Sequence, residues 1–137
     1  MLSAKPQVVI DTNVWLSGVI FGGKPEQVLR RFVDGSLIVV TSEEMLSELR
    51  RKVLQKFPHY APYLGALEAS IREKALLVQL GSQPVRVSRD PDDNIVIETA
   101  LLGRAQYVIS GDKDLLVVNV YNDISIVTPA EFLDELS

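Results

Sequence analysis

Val8-Val9-Ile10-Asp11-Thr12-Asn13-Val14 is the stretch on which the class of fold turns. Three apolar, β-branched residues in a row end at a polar cluster, the pattern of a short strand buried on both faces. Such a strand belongs to a parallel sheet with helices above and below it, because an antiparallel sheet with one wet side would alternate. Leu37 to Val40, Tyr107-Val108-Ile109 and Ile124 to Val127 repeat the pattern. Helical signals lie between them. Pro25 suits the first turn of a helix through Val28, Leu29 and Phe32 that closes near Gly35. Thr41-Ser42-Glu43-Glu44 is a capping-box pattern opening a helix with apolar positions Met45, Leu46, Leu49, Val53 and Phe57, and Pro58 stops it. A second helix is expected from about Tyr63 to Leu80, ending at Gly81, and a short strand at Val85 and Val87. Val14 to Ile20 is apolar and fits either type. Asp90-Pro91-Asp92-Asp93-Asn94 is a turn and N-cap cluster before a helix from Ile95 to Leu102, closed by Gly103. Thr128-Pro129-Ala130-Glu131 opens a C-terminal helix. Strands alternating with helices predict an α/β fold: three layers, α/β/α, around a mainly parallel sheet.

The chain has 137 residues, 47% of them hydrophobic and 23% charged, which predicts a single globular domain over residues 1–137. It has no cysteine, so disulfides, thiolate metal sites and a thiol nucleophile are excluded. The lone histidine, His59, excludes multi-histidine zinc sites and disfavours a Ser-His-Asp triad. The apolar stretch from Val8 to Phe21 is interrupted by Asp11, Thr12 and Asn13, too short and too polar for a membrane span, with no basic segment before it. The expectation is a soluble, cytoplasmic protein without a membrane role. Any chemistry falls to carboxylates, hydroxyls and a few basic side chains.

The formal net charge of −4 hides an asymmetry. Residues 1–89 carry 12 Lys/Arg against 8 Asp/Glu, whereas residues 90–137 carry 2 against 10. Solvated helix faces account for such a split, and so does a set of late acids gathered on a cation with earlier bases facing a polyanion. The position of individual acids is more informative. In open parallel sheets, functional groups collect outside the carboxyl ends of the strands. Asp11 and Asp112 follow predicted strands there, and Asp93 lies where a helix begins. Glu48 is one turn into its helix, three residues after Met45 and therefore roughly 60° from it, at the border of the apolar face. Taken singly, each is an ordinary turn, cap or surface acid. Brought together, they would repel and raise one another's pKa unless a cation neutralised them. An all-oxygen set suits Mg²⁺ or Mn²⁺, which assist attack at phosphoryl centres.

These motifs resemble the PIN domain nucleases. The likeness is carried by Val9-Ile10-Asp11-Thr12-Asn13-Val14, Glu48 within Ser47-Glu48-Leu49, Asp90-Pro91-Asp92-Asp93-Asn94, and Ser110-Gly111-Asp112-Lys113-Asp114-Leu115, in order along nearly the whole chain. Its size and opening look most like the small prokaryotic members, including VapC-like toxins of toxin–antitoxin pairs. The resemblance implies Asp11, Glu48, Asp93 and Asp112 as the catalytic, metal-binding acids, with Asn13, Asp90, Ser110 and Asp114 in support. It implies one or two Mg²⁺ or Mn²⁺ ions, an RNA substrate, a homodimer and an antitoxin partner. Leu115 departs from the aromatic residue many relatives carry at that position, which bears on packing rather than chemistry.

Arg50, Arg51 and Lys52 follow Glu48 and could contact a phosphate backbone, although a solvated helix face reads the same way. Two other functions fit the residues less well. A phosphotransferase or phosphatase using Asp11 as nucleophile would want a second aspartate two residues on, where Asn13 stands. A non-catalytic nucleic-acid- or protein-binding module on the same fold is the third reading, since a fold does not dictate a function.

Overall fold

The computed structural model describes residues 5–81 and 84–136. Six strands form one sheet: β1 (Gln7–Ile10), β2 (Ile38–Ser42), β3 (Leu76–Val78), β4 (Tyr107–Ile109), β5 (Val120–Tyr121) and β6 (Ile124–Val127). Their order is β3-β2-β1-β4-β6-β5, parallel throughout except for β5 against β6. Among the described residues, seven helices accompany them: α1 (Thr12–Ile20), α2 (Gly23–Val33), α3 (Glu43–Lys56), α4 (Ala61–Lys74), α5 (Pro91–Leu102), α6 (Lys113–Leu116) and α7 (Pro129–Glu135), with a 3₁₀ turn at Pro58–Tyr60.

Side-chain parity explains the unbroken apolar runs. Val8 and Ile10 point into one core with Trp15, Leu29, Phe32, Leu46, Leu49 and Phe132, from α1, α2, α3 and α7. Val9 points into the opposite core with Val96, Ile97, Ala100 and Leu115, from α5 and α6. Both faces are covered, so every residue of the run is buried. This is the three-layer α/β/α arrangement. At the far end of α5, Gly103 lets the chain pass against Val40 of β2; a Cβ there would collide with the valine side chain. Gly103→Ala is therefore expected to destabilise by about 1–3 kcal/mol through overpacking, seen as a lower Tm in thermal denaturation.

Three parts of the chain differ from the sequence-based expectation. The helix expected from Tyr63 to Leu80 ends at Lys74, and Ala75 turns extended. Leu76–Val78 then pair with Val40–Ser42 as β3. A three-residue apolar run carries no period by which helix and strand differ. No strand forms at Val85 and Val87; instead the Asn94 side chain accepts from the Val87 and Ser88 amides, both at 2.9 Å, and donates to the Ser88 carbonyl at 2.8 Å. One amide side chain replaces the ladder. The small elements α6 and β5 also went unforeseen. β5 and β6 form a hairpin closed by Asn122 and Asp123, both at positive φ (47° and 66°), the conformation of a type I′ turn. The ambiguous segment after Asp11 is helix α1.

The strand order decides where a site can form. The chain runs outward from β1 to β2 and β3, then returns to place β4 on the other side of β1. The carboxyl ends of β1 and β4 are thus a topological switch point, where diverging connections leave a crevice.

Candidate active site

Asp11 and Ser110 emerge side by side at that switch point. The Asp11 amide donates to the Ile109 carbonyl (2.9 Å) and the Ser110 amide to the Val127 carbonyl (2.9 Å), so each is held by the last rung of its ladder. Asp11 stands at the N-cap position of α1, yet its carboxylate caps nothing. It accepts instead from the Ser110 hydroxyl at 2.7 Å. Forgoing a side-chain cap costs a helix about 1 kcal/mol, and here the carboxylate is turned toward the crevice.

Ser110 has a second contact: its oxygen accepts from the Asp112 amide at 2.9 Å. Ser88 does the same on the neighbouring loop, donating to Asp93 Oδ2 at 3.0 Å and accepting from the Asp90 amide at 3.1 Å. Each hydroxyl ties one carboxylate to the backbone of the turn bearing another. Asp90 and Asp112 are themselves N-caps, accepting from the Asp92 and Asp114 amides at 2.9 Å. The result is a cluster in which Asp90, Asp93 and Asp112 each offer an oxygen within 4.8 Å of the others.

Glu48 arrives from α3 and is buried, 4% exposed. Its Oε1 accepts from the Thr12 hydroxyl at 3.2 Å and pairs with Lys52 at 2.9 Å. Its Oε2 is buried with no hydrogen-bond partner among the described residues. α3 places it there because Ser42 caps the helix, accepting from the Met45 amide, while its hydroxyl lies 3.0 Å from that of Thr99 on α5. That buried pair fixes the helices carrying Glu48 and Asp93 to one another.

The electrostatics reflect crowding. Burial raises the pKa of Asp11, with Glu48 adding to the effect, while Ser110 and Lys52 oppose it. Asp93 is pushed up to about 7, by burial first and then by the adjoining Asp112 and Asp90. An acid that holds its proton more tightly folded than unfolded makes stability fall as pH rises between the two pKa values. With metal chelated, Tm should therefore decline from about pH 4 to 7, and Asp93→Asn should flatten the decline and raise Tm at neutral pH by several degrees. Thermal denaturation of both proteins across that range checks this.

The structure places Asp93 and Asp112 in one cluster with Asp90; Asp11 and Glu48 lie outside that cluster, Asp11 joined to it through Ser110 and Glu48 bonded to Thr12 beside Asp11. Asn13 lies at the rim and accepts from Lys52 at 3.0 Å. Asp114 contributes its amide to Asp112, and its side chain is outside the acidic cluster. The basic run is dispersed rather than forming one face: Arg50 pairs with Glu68 (2.8 Å), Arg51 with Asp92 (2.9 Å), and Lys52 turns into the site. Thr12 and Ser88 were not singled out from sequence. Thr12 stood inside the quoted motif, whereas Ser88 carried no distinguishing signal.

The PIN domain family profile matches residues 7–114, from the start of β1 through Asp114. The chain belongs to the PIN domain family. All four acids lie within the matched segment, and PIN domains are typically metal-dependent nucleases. No curated protein sequence matches this chain. Among the described residues of this PIN domain, no helix is long and apolar enough to cross a membrane.

The site's donors suit a hard divalent ion. They are all oxygens, three carboxylates of the cluster have no Lys or Arg partner among the described residues, and Glu48 Oε2 is buried with no hydrogen-bond partner among them. Three acids this close raise the cost of their own ionisation, which a cation removes.

Proposed function

We propose that this PIN domain is a Mg²⁺- or Mn²⁺-dependent ribonuclease that hydrolyses RNA phosphodiester bonds. The convergence of Asp90, Asp93 and Asp112 within 4.8 Å at the switch point carries the reading. Asp93 and Asp112, with Asp11, would hold the ion, and Glu48 would reach it with the oxygen that has no hydrogen-bond partner among the described residues. Such an ion activates water and offsets charge on the phosphate. The chain's own groups set the stage: Ser110 and Ser88 orient Asp11 and Asp93, and Thr12 orients Glu48. A nucleophilic Asp11 is less consistent with the geometry, since its carboxylate is 4% exposed and already bonded to Ser110.

The role as toxin of a toxin–antitoxin pair is supported by the Asp11-Thr12-Asn13-Val14 motif; a homodimer, an antitoxin partner and a cytoplasmic location go with it. Incubation with single-stranded RNA in Mg²⁺ or Mn²⁺ tests the activity. Cleavage abolished by chelation and restored by either ion is the expected result. Release of phosphate from small monoesters without RNA cleavage would overturn it.

A further inference from the structure

We propose that the Lys52 ammonium is a built-in cation of this site, seated where a second divalent ion would otherwise bind, so that the chain takes one divalent ion. The inference rests on reading the acids as a divalent-ion site and specifies how many ions that site admits.

Lys52 is four residues after Glu48 on α3, which sets the two side chains next to each other on the helix surface. Its side chain is only 17% exposed, so the ammonium is withdrawn from water instead of extending into it. Three oxygens surround the nitrogen: Glu48 Oε1 at 2.9 Å, Asn13 Oδ1 at 3.0 Å and Thr12 Oγ1 at 3.2 Å. An ammonium has three donors, and each has an acceptor here.

The site therefore divides in two. Asp90, Asp93 and Asp112 form a group with no cationic side chain paired to it among the described residues. Glu48 stands at the border: its Oε1 faces Lys52, its Oε2 has no hydrogen-bond partner among the described residues, and Asp11 is tied to the acidic group through Ser110. The seat around the ammonium, made of carboxylate, amide and hydroxyl oxygens, is the kind a hard cation accepts. A free ion entering it would have to expel a tethered one and give up three contacts in doing so. Were Lys52 only a strut for Glu48, replacing it would leave the number of bound ions unchanged.

Mn²⁺ binding to the chain, counted by electron paramagnetic resonance of the free ion, distinguishes these cases. One Mn²⁺ per chain is expected for the wild type and for Lys52→Arg, which keeps the charge. Lys52→Met should bind two, the second about tenfold or more tighter than any second ion on the wild type, as removal of a like charge at this range implies. Two ions of similar affinity on the wild type, or a single ion on a folded Lys52→Met protein, would overturn the proposal. Binding of no ion by any of the three would overturn it together with the metal-dependent reading. Absence of RNA cleavage with one ion bound would sink the nuclease reading and leave the assignment of Lys52 standing.

Discussion

Asp112→Asn should lower RNA cleavage by about 10²-fold or more, with no loss of fold. Two roles of the residue separate cleanly in this substitution. As the N-cap of α6, Asp112 accepts from the Asp114 amide at 2.9 Å, and an asparagine oxygen serves there equally well. As a member of the acidic group, it contributes a charged oxygen that asparagine lacks. Its charge is also a cause of the raised pKa of Asp93, so removing it lets Asp93 ionise at lower pH. Metal-free Asp112→Asn protein should then have an unchanged or higher Tm at neutral pH, alongside weaker Mn²⁺ binding. Opposite movement of stability and activity is what a functional site built from repelling charges requires. If cleavage in saturating metal stayed within a few-fold of wild type, Asp112 would be a cap and nothing more. A large drop in Tm would instead make it a structural residue.

The framework of this site was legible because the signals are local. Val8-Val9-Ile10 and Tyr107-Val108-Ile109 are consecutive apolar residues ended by polar ones, and placement at strand ends follows from the parallel class alone. The capping residues Asp90 and Thr128 likewise announce helix starts from their own neighbourhoods. What stayed hidden depends on contacts distant in sequence. Nothing within Leu76–Val78 reveals that β2 offers a free edge, so the segment reads as a continuation of α4. The Asn94 side chain that holds Val87 and Ser88 is equally silent until the loop is folded. Taken singly, Asp93 reads as one more N-terminal acid of α5, and its place among the four acids comes from the family resemblance; only the fold puts Asp112 beside it. Lys52 shows the difference most plainly. Next to Arg50 and Arg51 it reads as one charge in a basic run, but a helix turns each successive residue by about 100°. The three side chains therefore diverge, to Glu68, Asp92 and Glu48.

Glu48 offers the sharpest paired comparison, because Glu43 on the same helix has the same chemistry and a different environment. Glu43 pairs with Arg72 across α3 and α4 at 2.9 Å, and that partner holds its carboxyl below the usual range. It is solvent-exposed, so Glu43→Gln removes a surface ion pair, an interaction that contributes little, and should leave both cleavage and Tm close to wild type. Glu48→Gln meets a buried position. A glutamine oxygen can still accept from Thr12 and Lys52, which retains the local scaffold. Its amide nitrogen then occupies the position of Oε2, which has no hydrogen-bond partner among the described residues, and replaces an anionic acceptor by a donor that no cation can use. Lys52 loses its ion pair with Glu48 and keeps neutral oxygens of Thr12 and Asn13. Cleavage should fall by about 10²-fold, with a modest change in Tm. The two variants should also differ in metal dependence: Glu43→Gln should need no more Mg²⁺ than wild type, whereas Glu48→Gln should not recover at any concentration. Equal cleavage rates for the pair in saturating Mg²⁺ and Mn²⁺ would show that the buried oxygen has no part in the reaction, and Glu48 would be left as the counter-charge of Lys52.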